Sequence, residues 1–122
     1  MKVNKKDFGD DFIWGVSTAA YQIEGAHNLD GKGPSIWDVF SNRKRKIAGS
    51  HNGNHACNFY HQYQDDLSLM KAMNIQNFRF SLSWPRILPN GVDQVNQKGL
   101  DYCDRLIDQC LKHEIEPWVT LY

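Results

Sequence analysis

The sequence lacks both an excess of charge of one sign and a long hydrophobic run. Its 122 residues carry 14 Lys and Arg against 14 Asp and Glu, so the formal net charge is zero. A balanced chain gives no electrostatic reason to expect a nucleic acid or an anionic membrane as its partner. The longest apolar stretches, such as residues 12–16, are far shorter than the roughly 20 residues that cross a bilayer. We therefore expect no nucleic-acid partner, no membrane partner and, because residues 1–11 are polar, no secretory signal.

Cysteine is scarce, and its spacing fits no disulfide framework. The chain has three cysteines, an odd number, and none of them forms a CxxC pair: Cys57, Cys103 and Cys110. Secreted domains of this size usually carry paired cysteines, whereas cytosolic proteins keep their thiols reduced. This pattern favours a cytoplasmic location.

One group of side chains could be drawn as a zinc site. It consists of His51, His55, Cys57 and His61. Their spacing matches no standard zinc motif, so we expect no metal there. The basic run at residues 43–46, in a neutral chain, is typical of a solvated loop.

Two segments have the apolar periodicity of helices. The first is predicted over residues 58–73 from apolar residues at steps of three and four, and the second over residues 98–114 from the same spacing. The residues that carry the two patterns are Phe59, Tyr63, Leu67, Met70 and Met73, then Leu100, Cys103, Leu106, Ile107, Cys110 and Leu111.

Three segments are predicted to be strands. Residues 11–20 begin with an apolar run and end in small residues, which suits a buried strand that another group can approach. Residues 78–84 alternate apolar and polar side chains up to Pro85. Residues 118–122 form the third predicted strand. The glycine-rich segment 25–58 is predicted to be a long loop.

The predicted order of strand, helix, strand, helix, strand indicates parallel strands with helical crossovers. Doubly wound sheets and (β/α)8 barrels both begin in this way. The second strand favours the barrel, because its polar face carries Arg79 and two serines, whereas strands of a doubly wound sheet are apolar on both faces. The predicted fold class is therefore α/β: the first two and a half βα units of a (β/α)8 barrel, with three parallel strands and two helices.

Several ordered motifs then resemble glycoside hydrolase family 1, the β-glucosidase family. Residues 12–26 read FIWGVSTAAYQIEGA and are similar to the family's amino-terminal signature. Further similar segments follow in the family's order and cover essentially the whole chain: DGKGPSIWD at 30–38, Tyr60-His61 with Asp65-Asp66, FRFSLSWPRILPNG at 78–91 and EPWVTLY at 116–122.

The resemblance implies a (β/α)8 barrel of carbohydrate metabolism that hydrolyses terminal β-D-glucosides with retention and needs no metal or other cofactor. Such enzymes use two glutamates about 5 to 5.5 Å apart, one as acid/base and one as nucleophile. In the family these lie in Asn-Glu-Pro and Glu-Asn-Gly motifs, and the sequence contains neither. We therefore expect residues 1–122 to be the amino-terminal part of the barrel domain, truncated after the third strand, with no catalytic residue of its own.

Two site residues are expected from the resemblance. Gln22 matches a glutamine that binds hydroxyls of the glycone, for which a carboxamide offers both a donor and an acceptor. Arg79 matches an arginine that contacts the nucleophilic carboxylate and would hold it ionised. Glu24 occupies a supporting position rather than a catalytic one. Trp37 and Trp84 are expected in the core or in the wall of the site.

Two alternative functions remain open. A 6-phospho-β-glucosidase belongs to the same family, although Tyr21 and residues 33–38 look more like members that act on unphosphorylated sugars. A non-catalytic remnant that binds sugar weakly, or that pairs with a complementary piece of a barrel, is the alternative from another class. The residues that would follow position 122 distinguish these possibilities.

Overall fold

A computed structural model describes residues 2–121. Its three strands are β1 (Val16–Ser17), β2 (Asn77–Ser81) and β3 (Glu116–Thr120). Its five α-helices are α1 (Ala20–Ile23), α2 (Ile36–Ser41), α3 (Phe59–Ala72), α4 (Trp84–Ile87) and α5 (Gln97–Lys112). Two short 3-10 helices cover Lys5–Phe8 and Ala48–Ser50.

The three strands form one parallel sheet in the order β1-β2-β3. Helix α3 connects β1 to β2, and α5 connects β2 to β3. Parallel neighbours require a long crossover of this kind, because a tight turn would reverse the chain. The predicted α/β architecture of three parallel strands with two crossover helices is confirmed.

The core lies between the outer face of the sheet and helices α3 and α5. Phe78 and Phe80 of β2 are almost fully buried in one cluster with the aromatic residues of α3, and Phe78 packs edge-on against Phe59. Burying a phenylalanine side chain contributes about 1.5–3 kcal/mol, so these two residues fix which face of the sheet the helices cover. The opposite face of β2, which carries Arg79, remains open to solvent.

The two long helices lie close to their predicted bounds. Helix α3 buries the residues that the periodicity selected at its start and centre, but Met73 caps the helix and is 64% exposed. Helix α5 ends at Lys112, two residues before its predicted end, and its predicted core residue Leu111 is exposed. Both errors lie in the last turn, where the chain leaves the packed face and the helix frays.

The predicted first strand is too long. Only Val16–Ser17 pairs with β2, and the chain enters α1 at Ala20. The Ala20 amide donates a hydrogen bond to Ser81 Oγ at 2.8 Å, which turns the backbone at the end of the ladder. The two residues are 61 positions apart in the sequence, so no local sequence pattern predicts their contact.

The predicted second and third strands also shift at their ends. Trp84 was expected in the second strand but begins α4, because Pro85 lacks an N–H and has the fixed φ that suits the first turn of a helix. Strand β3 begins at Glu116 rather than at Trp118. The predicted end of this strand, Tyr122, lies outside the described residues.

The long predicted loop contains one short α-helix as well as the 3-10 helix Ala48–Ser50. Helix α2 begins after Ser35, whose Oγ accepts a hydrogen bond from the Asp38 amide at 3.1 Å. The Asp38 carboxylate accepts one from the Ser35 amide at 2.7 Å. This reciprocal capping box satisfies two amides that the start of a helix otherwise leaves unpaired.

Candidate functional site

The inner face of the sheet is polar, and its carboxyl ends form the side on which (β/α)8 enzymes build their sites. Ser17, Arg79 and Trp118 are register partners across the three strands, so their side chains share this face. The Arg79 Nη1 donates a hydrogen bond to Ser17 Oγ at 3.3 Å. Within residues 2–121, Arg79 forms no ion pair with a carboxylate.

A second polar contact lies on the same face, closer to the amino ends of the strands. Trp118 Nε1 donates to Asn77 Oδ1 at 3.1 Å, and Asn77 Nδ2 donates to the Trp14 carbonyl at 2.9 Å. These bonds link β2 and β3 to the segment that precedes β1. They orient the Trp118 ring, which is 48% exposed, below Arg79 on the inner face.

Gln22 lies on α1, immediately after the carboxyl end of β1. Its amide donates to the Ala19 carbonyl, its own carbonyl accepts a weak bond from Cys57 Sγ at 3.9 Å, and its side chain is exposed. The bond from Ala20 to Ser81 brings this helix to the carboxyl end of β2. Gln22 thus lies two residues from the contact that joins α1 to β2, the strand that carries Arg79, and no hydrogen bond joins the Gln22 and Arg79 side chains.

Tyr21, next to Gln22, anchors α1 to the long connection that follows it. Its hydroxyl lies 2.6 Å from Ser41 Oγ and accepts a bond from the Gly53 amide at 2.9 Å. Its ring stacks on Trp37 with centroids 6.0 Å apart. The sequence did not indicate this anchoring role for Tyr21.

Trp37 and Trp84 are expected in the core or in the wall of the site, and within residues 2–121 neither lies in the core. Trp37 is 46% exposed, and Trp84 is 43% exposed with its Nε1 donating to the Gly91 carbonyl at 2.9 Å. Trp37 lies on α2, a helix of six residues, and its ring stacks on Tyr21. Both rings are thus partly open to solvent.

Glu24 is buried in an ion pair with Arg86, behind the helix that carries Gln22. Arg86 Nε donates to Glu24 Oε2 at 3.0 Å, and the guanidinium lies over the Tyr60 ring at 4.2 Å from its centroid. Burial raises the pKa of the Glu24 carboxyl, and the charge of Arg86 offsets part of that rise. The Glu24 carboxylate is thus the counter-charge of a buried guanidinium. Sequence reasoning missed Arg86, because its partner is 62 residues away.

A second buried ion pair lies beside the site. Lys32 Nζ donates to Asp38 Oδ2 at 2.8 Å, and both side chains are less than a tenth exposed. Burial acts to raise the pKa of Asp38, but hydrogen bonds from Lys32 and Ser35 outweigh it, so that the pKa lies below its ordinary value. The pair closes one side of a cavity of about 100 Å³ that Tyr21 and Glu24 also line. Ligand pockets usually enclose about 300–1,000 Å³, so this cavity alone is too small to be one.

No two of the three glutamates of the chain lie together at the carboxyl ends of the strands within residues 2–121. Glu24 is in the buried pair, Glu114 is paired with Lys71 on the surface, and Glu116 opens β3 at its amino end, opposite Asn77. A retaining glycosidase needs two carboxylates on either side of the bond that it cleaves. Residues 2–121 do not place a pair of glutamates there.

The residues that could be drawn as a zinc site do not come together in space. Within residues 2–121, no group of three or more His, Cys, Asp and Glu side chains is arranged to hold a metal ion. No helix in that part of the chain is long and apolar enough to cross a membrane.

The chain belongs to a family of glycoside-cleaving proteins. The model of glycosyl hydrolase family 1 matches residues 4–122, which confirms the resemblance drawn from the motifs. The chain is 53% identical to Beta-glucosidase A of Acetivibrio thermocellus over 98% of its length, and 49% identical to the aryl-phospho-beta-D-glucosidase BglC of Bacillus subtilis over 96%. It covers only 27% and 24% of these two relatives.

The fold agrees with a solved structure of the same family. The family 1 β-glucosidase from Thermotoga maritima superposes with a TM-score of 0.91 at 45% sequence identity, over 94% of this chain and 26% of that protein. The same Thermotoga maritima enzyme has been solved in complex with glucoimidazole. The chain thus spans about a quarter of the length of the proteins that it matches.

Proposed function

We propose that residues 1–122 form the amino-terminal part of a (β/α)8 barrel domain, truncated after its third strand, that hydrolyses terminal β-D-glucosides with retention. The observation that carries this proposal is the match of nearly the whole chain, in sequence and in fold, to about a quarter of proteins named β-glucosidases. The polar inner face of the sheet supports it, because a barrel site requires such a face at its carboxyl ends.

Gln22 has the role of a substrate-binding residue in this proposal. Its side chain is exposed at the carboxyl end of β1, and the contacts of Tyr21 and Ala20 hold the short helix on which it lies. A carboxamide both donates and accepts hydrogen bonds, so it can bind two adjacent hydroxyls of a glucose ring. Hydrogen bonds to sugar hydroxyls that strengthen in the transition state contribute to the rate of glycoside hydrolysis.

Arg79 supports the nucleophile rather than the sugar. It is a cation on the inner face whose hydrogen-bond partner among residues 2–121 is the neutral hydroxyl of Ser17. A guanidinium beside a carboxylate stabilises the ionised form and orients it through paired hydrogen bonds. The acid/base and the nucleophile come from polypeptide other than residues 2–121.

The proposed cellular setting is the cytoplasm, where the enzyme serves carbohydrate metabolism without a cofactor. All three cysteines are free, and two of them are buried, which suits a reducing compartment. The proposed partner is a β-glucoside or an oligosaccharide, and the balanced charge favours neither nucleic acid nor membrane.

A chimera tests the proposal. This chain replaces the matching segment of Beta-glucosidase A from Acetivibrio thermocellus, and hydrolysis of an aryl β-glucoside is measured. We expect turnover with retention of configuration, and none when the segment is deleted. A well-folded chimera without turnover would support the non-catalytic remnant. A 6-phospho-β-glucoside is assayed in parallel, because preference for it in this background would favour the phosphoglucosidase alternative.

A further inference from the structure

We infer that Arg86 is a positioning residue for Gln22, acting through Glu24 and the turn that ends α1. The inference rests on the proposed function, because it assigns how the substrate-binding side chain is held. Glu24 is the residue that ends α1, and its amide donates to the Ala20 carbonyl across the turn that contains Gln22. A displacement of Glu24 therefore displaces the backbone of Gln22.

Arg86 donates hydrogen bonds to three acceptors in the turn that ends α1. Its Nε donates to Glu24 Oε2 at 3.0 Å, and its Nη2 reaches the carbonyls of Gly25 at 3.4 Å and Ala26 at 3.5 Å. The guanidinium packs over the Tyr60 ring, and the whole residue is only 1% exposed. A buried guanidinium that meets one carboxylate and two carbonyls fixes all three acceptors relative to one another.

The turn requires such support because its backbone is unfavourable at Ala26. Ala26 has a φ angle of +46°, in the left-handed region that a residue with a Cβ rarely adopts, whereas Gly25, at +65°, lacks a Cβ and adopts this region without strain. The His55 carbonyl closes the other side of Gly25, where a Cβ would lie 2.1 Å from its oxygen. The turn is thus held between Arg86 and the segment that leads into α3.

Arg86 can hold the turn in place because its own backbone is held by α5, by the loop that precedes α5 and by the residues that precede α4. Its carbonyl accepts a bond from Asn96 Nδ2 at 2.8 Å, and its amide donates to the Ser83 carbonyl. Gly99 of α5 approaches that carbonyl so closely that a Cβ would lie 2.1 Å away. Helix α4 also follows β2 directly. Buried contacts therefore hold the backbone of Gln22 in a fixed position relative to β2, the strand that carries Arg79. The same contacts set the distance between these two site residues.

Hydrogen exchange tests the positioning itself, without reference to activity. Arg86→Lys and Glu24→Gln are made in the chimera, and exchange of the backbone amides of residues 20–26 is measured. We expect exchange there to accelerate at least about tenfold relative to the rest of the segment, because opening of a local unit is governed by its own contacts. The control is Ile115→Val, a change at a buried core residue just before β3 and outside residues 20–26. Unchanged exchange at residues 20–26 in either soluble variant would overturn the inference.

A kinetic cycle tests whether the effect reaches Gln22. Gln22→Ala is combined with Glu24→Gln, which keeps an oxygen acceptor for Arg86 and so has the milder effect on folding. We expect Gln22→Ala to cost at least about tenfold in kcat/KM alone but under about threefold in the Glu24→Gln background, because residues that act as a unit are not additive. Additive losses would show that Glu24 is not coupled to Gln22 and would overturn the inference. If the unsubstituted chimera is inactive, the proposed function fails, and the exchange experiment still decides on Arg86.

Discussion

At the scale of single residues, the proposed site combines two side chains of different chemistry. Gln22 offers a neutral donor and acceptor, which suits hydroxyl groups. Arg79 offers a fixed cation, which suits a carboxylate. Both are exposed in the described residues, whereas the buried carboxylates Glu24 and Asp38 are held in ion pairs by Arg86 and Lys32. Substitutions at Gln22 and Arg79 should therefore affect function far more than stability.

The first prediction concerns Gln22. In the chimera, Gln22→Ala lowers kcat/KM for an aryl β-glucoside by at least about tenfold, since a lost hydrogen bond to a buried polar group costs about 1–3 kcal/mol. Thermal unfolding stays unchanged because the side chain is exposed. Gln62→Ala, at an exposed position of α3, is the matched control. An unchanged kcat/KM in Gln22→Ala would show that the Gln22 side chain does not bind the substrate.

The second prediction concerns Arg79. Arg79→Met raises the pKa of the acidic limb of the kcat/KM profile by about one unit and slows the reaction, because the removed cation favoured the ionised nucleophile. Activity is therefore lost at a higher pH than in the unsubstituted chimera. Arg79→Lys restores the limb only in part, since an ammonium lacks the planar fork. Arg105→Met, on the exposed face of α5, is the control; an acidic limb that stays in place would assign Arg79 another partner.

At the scale of elements, a helix could be predicted from the sequence only when it was long enough. The crossover helices α3 and α5 were found near their bounds, because 14 and 16 residues give the apolar period several turns to repeat. The polar face with Arg79 followed from strict alternation in β2. The helices α1 and α4 have four residues each, too few for a period, and depend on contacts such as Ala20 with Ser81. The capping box of Ser35 and Asp38 is visible in the sequence. The prediction of a continuous loop over residues 25–58 did not use it and therefore missed α2.

The third prediction concerns α2 and its buried ion pair. Asp38→Asn lowers the free energy of unfolding by about 3 kcal/mol at pH 7, because it leaves the Lys32 ammonium buried without a counter-charge. The Asp38 pKa is lowered in the folded state, so its ionised form contributes stability above the ordinary value of 3.8 and loses it as the pH falls below that value.

The difference between the chimera and its Asp38→Asn variant should therefore shrink below pH 3.8. Melting temperatures at pH 7 and in acid measure it. Asp104→Asn, exposed on α5, is the matched substitution and should show no such convergence. A difference that is constant with pH would mean that Asp38 acts through shape and not through charge.

At the scale of the whole molecule, the sheet of residues 2–121 is open on both sides. Strands β1 and β3 each pair on one edge only, and the inner face has no opposing layer. Large apolar side chains near β3 are exposed: Trp118 at 48%, Val119 at 39% and Leu121 at 77%. Free edges and uncovered apolar surface lead to association. The three parallel strands and their crossover helices could be predicted from the sequence. That further strands close the sheet into a barrel could be inferred only from the resemblance to the family.

The fourth prediction follows from this open sheet. The 122-residue chain alone shows no hydrolysis of aryl β-glucosides and is poorly soluble or partly molten, because a partial barrel buries too little area to offset the entropy of the chain. Light scattering and near-ultraviolet circular dichroism measure its state. A monomer with a cooperative unfolding transition would contradict the argument on stability, and turnover lost on changing Glu24 would contradict its supporting role.

The measurement that tests the central claim most directly is the kcat/KM of the chimera for an aryl β-glucoside, compared with that of intact Beta-glucosidase A from Acetivibrio thermocellus. If this chain supplies the first three strands and the binding residues of a β-glucosidase, the chimera retains activity within about tenfold of its host, a loss of about 1.4 kcal/mol in transition-state stabilisation. A folded chimera with less than about a thousandth of the host's kcat/KM would contradict the account.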